Sequence, residues 1–248
     1  MAPPFSNSIE SRHDFPAYEG RVRAYIIAST PRSGSHLLGH ALFGAGLFGY
    51  PLEYLKPQHW QDWSQRAGVP PNQQPSVLAC LMQHRTSPNG LFGIKTHWPH
   101  FAGHGAASLI ELLEAVTETE VAFIRLRRED VLSQAISWSL AAQTGQWFSG
   151  TPGRAEPLYS RSELQDLIAE IARQNREWDG FLQGLGAQPL DLEYDRDVRR
   201  DVGVAVSMVA THLGVECPGR IEPPDFAKQA GPINLAWRKR FLAESAVA

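Results

Sequence analysis

The sequence predicts an α/β protein, a parallel sheet with helices on both faces, and three observations carry that reading. Short apolar runs occur at residues 25–28, 90–97, 121–126 and 189–194. Stretches with apolar residues at helical spacing separate them, so each strand returns through a helix and pairs in parallel. The first run breaks into a small polar turn that opens a helix, the local geometry that aims backbone N–H groups at an anion.

In chain order, residues 1–20 are rich in Pro and Ser and predict a loosely held N-terminal arm. Residues 21–248 then form one domain, long enough for a substantial core. The first strand, 25–28, leads through 29–35 into a helix at 35–45. An extended segment turns at Pro51, and 58–88 reads as a helical excursion around a helix at 77–84. The second strand is 90–97, followed by a helix at 106–117 and a third strand at 121–126. Asp130 caps a helix over 131–143, and 151–157 is a loop. Helix 162–182 is amphipathic, with Leu164, Leu167, Ile168, Ile171, Trp178 and Phe181 on one side. A fourth strand at 189–194, a helix at 202–213 and a basic helix at 235–244 complete the chain. Ligands of such sheets sit outside the carboxyl ends of the strands, where the loops after Ala28, Lys95 and Leu126 converge.

Composition narrows the partners. Hydrophobic residues at 43% and charged residues at 20% are those of a globular protein. The net charge of -3 gives no global argument for nucleic acid or an anionic membrane. No apolar stretch approaches the roughly 20 residues that span a bilayer, and the N-terminus lacks the order of a secretion signal. Cys80 and Cys217 are too few for a disulfide framework or a zinc site. They read as buried small hydrophobes of a reducing, cytoplasmic compartment.

The turn Pro31-Arg32-Ser33-Gly34-Ser35 is P-loop-like without being a Walker loop. It has no Gly-Lys-Ser/Thr to reach outer phosphates and hold magnesium, and no Gly-x-Gly-x-x-Gly of a dinucleotide fold. Gly34 admits close approach, Ser33 and Ser35 add hydroxyls, and Arg32 adds a forked cation. The bland alternative is a Ser-rich βα turn. A second anion site is expected where the third strand ends in Arg127 and Arg128, with Ser133 or Ser137 one or two turns into the next helix. Its alternative is a helix with a solvated first turn.

Taken in order, several segments resemble the bacterial trehalose-2-sulfotransferase-type family, whose members use 3′-phosphoadenosine 5′-phosphosulfate (PAPS). They are STPRSGSHLL at 29–38, Pro51-Leu-Glu53-Tyr54, Phe92-Gly-Ile-Lys95, and Arg127-Arg128-x-Asp130 with Gln134-Ala135-x-Ser137-Trp138. Gln143-Thr-Gly-Gln-Trp147, Leu192-Glu-Tyr-Asp195, and Lys228-Gln229 with Asn234, Trp237 and Phe241 extend the match along nearly the whole chain. The resemblance implies a sulfotransferase-type fold, PAPS as sulfuryl donor, a sugar or glycoside hydroxyl as acceptor, no metal, and frequent homodimers.

It also implies roles. Pro31, Arg32, Ser33, Gly34, Ser35 and His36 lie at the cofactor's 5′ end. Arg127 or Arg128, with Ser133 or Ser137, takes the 3′-phosphate; the late polar cluster of Lys228, Gln229 and Arg238 reads as closing over it, though Ala230-Gly231 stand where the family has an acidic residue. Lys95 supplies a second cation or orients the acceptor. Glu53 matches the family's catalytic glutamate, and burial beside Tyr50, Tyr54 and Leu55 is expected to make it a stronger base. His97 is its rival, since Lys95-Thr-His-Trp-Pro resembles the catalytic histidine segment of animal cytosolic sulfotransferases. Trp60, Trp63, Trp98 and Trp147 either line a sugar pocket or pack, while Trp138, Trp178 and Trp237 read as core. Two other functional classes stay open on the residues alone: a P-loop-like kinase or nucleotide hydrolase, and a non-catalytic phosphate- or glycan-binding domain.

Overall fold

A computed structural model describes residues 9–147, 155–216 and 231–246. Four strands, β1 (Arg23–Ser29), β2 (Leu91–His97), β3 (Ala122–Arg127) and β4 (Leu190–Glu193), are all parallel and lie in the order β2-β1-β3-β4. The helices are α1 (Ser35–Gly44), α2 (Pro57–Ala67), α3 (Gln74–Arg85), α4 (Trp98–Gly103), α5 (Ala106–Thr117), α6 (Val131–Thr144), α7 (Arg161–Gly184), α8 (Val202–His212) and α9 (Pro232–Ser245). All four apolar runs are strands, as expected.

The central strand β1 shows why its sequence is apolar without alternation. Ala24, Ile26 and Ala28 enter one hydrophobic cluster, while Tyr25 and Ile27 enter another. A strand covered on both faces has no polar side to display. The first cluster is filled from α2, α3, α5 and α7 by Trp60, Trp63, Leu81, Leu113 and Trp178. The second is filled from α1 and α8 by Leu38, Leu42, Val206 and Val209. A third joins α6, α7 and α9 through Ile136, Leu164, Ile171 and Trp237. Asp130 caps α6 by accepting the Ser133 N–H at 3.1 Å.

The segment after α1 runs along the outer edge of β2. Leu52 forms a parallel bridge with Ile94, and the Lys95 N–H donates to the Leu52 carbonyl at 3.0 Å. Tyr50, Leu52, Tyr54 and Leu55 are buried there. Glu53, the one polar residue among them, is thereby carried to the carboxyl end of β2.

Three elements depart from expectation. Helix α2 lies mostly within the expected helical excursion at 58–88 but is a second helix beside the one expected at 77–84, its apolar face carried by Trp60 and Trp63 in an otherwise polar stretch. Both tryptophans are core residues, at 4% and 0% exposure, and so are removed from any sugar pocket. The one-turn helix α4 was read as loop. Its Trp98 packs edge-on to Trp178, ring centroids 5.1 Å apart, while Trp147 is exposed. The chain after β4 makes a π-helical turn (Tyr194–Val198). Cys80 is a half-buried free thiol rather than a buried one, and Cys217 lies outside the described residues.

Of the expected arm, the described part is tied to α2 and α3. The Asp14 carboxylate pairs with the guanidinium groups of Arg66 and Arg85, and the Phe15 N–H donates to the His84 carbonyl at 3.0 Å. Arg85 is fully buried, so its charge needs that partner.

Candidate active site

The loops after β1 and β3 and the edge segment meet at the carboxyl ends of the strands. Between β1 and α1 the backbone takes left-handed turns at Arg32 (φ 63°) and Gly34 (φ 86°). The Gln134 amide of α6 holds this loop, donating to Thr30 Oγ1 at 2.8 Å and to the Pro31 carbonyl at 2.7 Å. A Cβ on Gly34 would run into the Tyr194 ring, which the turn after β4 lays over the loop. Helix α1 starts at Ser35 without a side-chain cap, leaving first-turn N–H groups for an anion. Ser33 Oγ is fully buried and has no hydrogen-bond partner among the described residues. A buried hydroxyl with no acceptor or donor fits a loop built around a ligand.

The basic residues separate into two groups. Arg32 Nε donates to Ser137 Oγ at 3.0 Å and Nη1 to the Trp147 carbonyl at 2.8 Å. Sequence reasoning had set Arg32 and Ser137 at opposite ends of one ligand. Because β3 is the neighbour of β1, the helix that follows it passes beside the loop and brings the two together. Arg128 lies over the Tyr194 ring, 5.0 Å from its centroid, with Asp195 Oδ2 at 3.5 Å. Burial, together with the nearby Arg128 charge, lowers the Arg32 pKa to about 10, against an opposing pull from Tyr194. Arg32 is still charged at neutral pH.

Arg127 goes elsewhere, pairing at 3.1 Å with Asp179 on α7 and at 3.3 Å with Asp191 on β4. Strand alternation sends residues 127 and 128 different ways. Ser133 Oγ instead accepts from Arg238 Nη1 at 3.1 Å, and the same nitrogen donates to Asp130 Oδ1 at 2.7 Å. Gln134 was visible only as a member of the motif around Arg127, and Asp130 as that and as the cap of α6. Lys228 lies outside the described residues.

The chemistry centres on Glu53. Its Oε1 sits 2.6 Å from His97 Nε2 and its Oε2 sits 3.3 Å from Lys95 Nζ. On the far side of the imidazole, His97 Nδ1 is 3.2 Å from Ser29 Oγ, and Ser29 and His97 are register partners in the β1–β2 ladder. The side chain of Glu53 is 22% exposed, against 11% for His97 and 3% for Lys95. Glu53 is therefore the member of the cluster that solvent reaches most.

Burial alone would raise the Glu53 pKa, but the Lys95 and His97 charges outweigh it and hold the carboxyl well below its usual range. This corrects the expectation of a base strengthened by apolar surroundings, because the Lys95 ammonium and the His97 imidazole sit where only aromatic neighbours were foreseen. Burial lowers the Lys95 pKa while Glu53 opposes that shift. The sequence named Glu53 and His97 as rivals; the structure makes them a hydrogen-bonded pair. His36, half-buried on the first turn of α1, has its Nε2 3.0 Å from the Nε2 of His40.

An anion loop beside a charged carboxylate–imidazole pair is the equipment of an enzyme that moves an anionic group. The chain belongs to the Stf0 sulphotransferase family, whose model matches residues 24–244, and it is a sulfotransferase. A curated relative from Mycobacterium tuberculosis (strain Erdman), trehalose 2-sulfotransferase, is 27% identical over 90% of this chain and 96% of its own. The protein of the same name from Mycolicibacterium smegmatis is 24% identical over 90% and 95%. A solved sulfotransferase domain from the Synechococcus PCC 7002 olefin synthase covers 92% of this chain and 91% of its own, at 15% identity and a TM-score of 0.44.

Proposed function

We propose that this sulfotransferase takes its sulfuryl group from PAPS and passes it to a hydroxyl of a small carbohydrate, trehalose or a related glycoside. The observation that carries the reading is the Glu53 carboxylate, ionised and partly open, linked through His97 and Ser29 to the strand that feeds the loop. The names of both curated relatives support the sugar acceptor. The unpartnered Ser33 hydroxyl and the uncapped start of α1 support a phosphate-bearing donor. In this reading Pro31, Arg32, Ser33, Gly34, Ser35 and His36 hold its 5′ end. Arg128, Ser133 and Ser137 hold the 3′-phosphate, with Arg238 and Lys228 closing from the C-terminal side.

PAPS supplies a sulfuryl group on a phosphate leaving group. Sulfuryl transfer is an in-line displacement through a loose transition state, so positioning and charge stabilisation dominate, as for phosphoryl groups. Glu53 takes the proton of the acceptor hydroxyl as its oxygen bonds to sulfur and the sulfur–oxygen bond to the 5′-phosphate breaks. Arg32 and the loop N–H groups receive the charge left on that phosphate oxygen. Both ring nitrogens of His97 are engaged, by Glu53 and Ser29, so His97 orients the base rather than meeting the acceptor. The positive charge the reaction calls for comes from Arg32 and Lys95 rather than a metal. The compartment is the cytoplasm, and a homodimer is the assembly the family resemblance favours.

The test is transfer of label from sulfur-labelled PAPS to a panel of disaccharides and glycolipids. The melting temperature is measured in parallel with the desulfated nucleotide, adenosine 3′,5′-bisphosphate, which stabilises by mass action if it binds. A folded protein that shows neither labelled sugar nor a melting shift at millimolar nucleotide rules the reading out.

A further inference from the structure

The chemistry above holds Glu53 at its tip, through His97 and Lys95. Two histidines that it leaves unused hold the chain at the root. His59 Nδ1, on the first turn of α2, lies 2.9 Å from the backbone carbonyl oxygen of Glu53 itself. His104 Nε2, on the residue that ends α4, lies 3.1 Å from the carbonyl oxygen of Leu55. In the same segment the Leu52 carbonyl accepts from the Tyr54 and Lys95 N–H groups, both at 3.0 Å, and the Tyr54 hydroxyl donates to the Tyr50 carbonyl.

The direction of both histidine bonds is fixed, because a carbonyl oxygen can only accept. Burial lowers the pKa of both rings, against the pull of the carbonyl that each one meets. At neutral pH each is therefore a neutral ring with a single N–H. His59 carries it on Nδ1 and His104 on Nε2. Trp60, next to His59 in α2, is buried and ties the two together. Its ring meets the His104 ring edge-on, centroids 4.4 Å apart, and its Nε1 donates to the Pro71 carbonyl at 2.8 Å.

The segment that carries the base needs such support. Among the described residues it joins the sheet through one bridge, Leu52 to Ile94, rather than a ladder. One bridge sets where the segment lies but leaves its peptide planes able to rock. Tying down a carbonyl removes that freedom, since a planar peptide leaves only two soft dihedrals per residue. With it goes the swing of the Cα–Cβ bond that aims the carboxylate. A misplacement of about 1 Å at a reacting group is enough to cost rate.

We propose that His59 and His104 are positioning residues for the transfer reaction: by donating to the carbonyls of Glu53 and Leu55 they fix the root of the base, so that its carboxylate meets the acceptor hydroxyl at one angle. The catalytic half of this statement rests on the reading of Glu53 as the base. A group that directs a reacting side chain is worth as much to the rate as its own locking allows.

Long-range 1H–15N correlation spectra of the 15N-histidine-labelled full chain at pH 7 read the tautomers without donor and without turnover. The expected result is Nδ1–H for His59 and Nε2–H for His104; the reverse at His59 overturns the proposal. The amide nitrogen of Asn can stand in for Nδ1 of a histidine and that of Gln for Nε2. His59→Asn should therefore keep kcat within about threefold, while His59→Ala and His59→Gln lose about tenfold. At His104 the preference should invert, with Gln tolerated and Asn not. Acceptor KM and the affinity for adenosine 3′,5′-bisphosphate should stay within about twofold throughout, since neither histidine is asked to touch a ligand. In a Glu53→Gln background His59→Ala should cost nothing more, because the group it directs has gone. Full kcat in His59→Ala, a loss shared equally by kcat and nucleotide affinity, or full additivity with Glu53→Gln overturns the proposal. A Glu53→Gln protein with wild-type turnover sinks the base reading instead. Hydrogen exchange of the Lys56 N–H, which shares the Glu53 carbonyl at 3.2 Å, then decides the clamp. It should be faster in His59→Ala but not in His59→Asn, equal rates overturning it.

Discussion

Glu53 Oε1 lies 2.6 Å from His97 Nε2, and a parallel bridge between Leu52 and Ile94 is what brings the two chain segments alongside. The carboxylate is anchored at one oxygen by imidazole and at the other by Lys95, which fixes its direction at the mouth of the site. Glu53→Gln keeps the shape and hydrogen-bonding size of the side chain but removes its capacity to take a proton. Turnover should fall about 10²–10⁴-fold while nucleotide binding is kept, read by labelled transfer and calorimetry. A variant still working within tenfold of wild type would move the base to another residue.

The lowered pKa of Glu53 fixes the sign of a pH effect. A carboxyl held low is ionised throughout the neutral range, so turnover declines only as pH falls through that lowered value. Lys95→Met removes the ammonium at 3.3 Å that opposes protonation. The acid limb of the kcat/KM profile should therefore move to higher pH, against the wild-type profile measured alongside. An acid limb that stays in place, with activity remaining, means that another group sets it.

The two adjacent arginines after β3 should behave differently. Arg127 is 44% exposed and shared between Asp179 and Asp191, a surface pair of small worth. Arg127→Ala should leave nucleotide affinity within about twofold. Arg128 sits over Tyr194, which itself lies on Gly34 of the loop. Arg128→Ala should weaken the nucleotide about tenfold or more, the scale of a charge-assisted contact. Equal losses in the two variants would contradict this division.

That division shows how far the chain could be read beforehand. The alternation of the four strands with helices and the turn at Pro31–Ser35 were legible because each depends on local pattern, whereas Glu53, Lys95 and His97 were singled out chiefly through the family resemblance. The pairing of Glu53 with His97 was not, since it depends on an edge segment joining β2 across a long excursion. Likewise, Arg127 and Arg128 are equivalent in composition, and only strand alternation and the turn at Tyr194–Val198 tell them apart. Helix α2 was hidden by its polar surface, although Trp60 and Trp63 stand three residues apart as a buried helical face requires. Asp14 carried no motif at all.

Asp14 nonetheless makes a strong prediction about stability. It is the carboxylate that neutralises fully buried Arg85 and also meets Arg66, closing residues 10–15 onto α2 and α3. Asp14→Asn leaves the Arg85 charge without its counterion, and breaking a buried pair in this way costs about 3 kcal/mol or more. Burial would raise the Asp14 pKa, but the hydrogen bonds and charges of Arg66 and Arg85 outweigh it and lower it from the ordinary 3.8. A group lowered in the folded state contributes its full stability above its unfolded pKa and loses it as pH falls through the folded one. Urea denaturation should therefore show wild type losing stability below about pH 4, with a slope that Asp14→Asn reduces. An Asp14→Asn protein with the wild-type midpoint at pH 7 would mean that Arg85 draws its compensation from the Glu10 carbonyl, to which its Nη2 donates at 3.1 Å, instead of from Asp14.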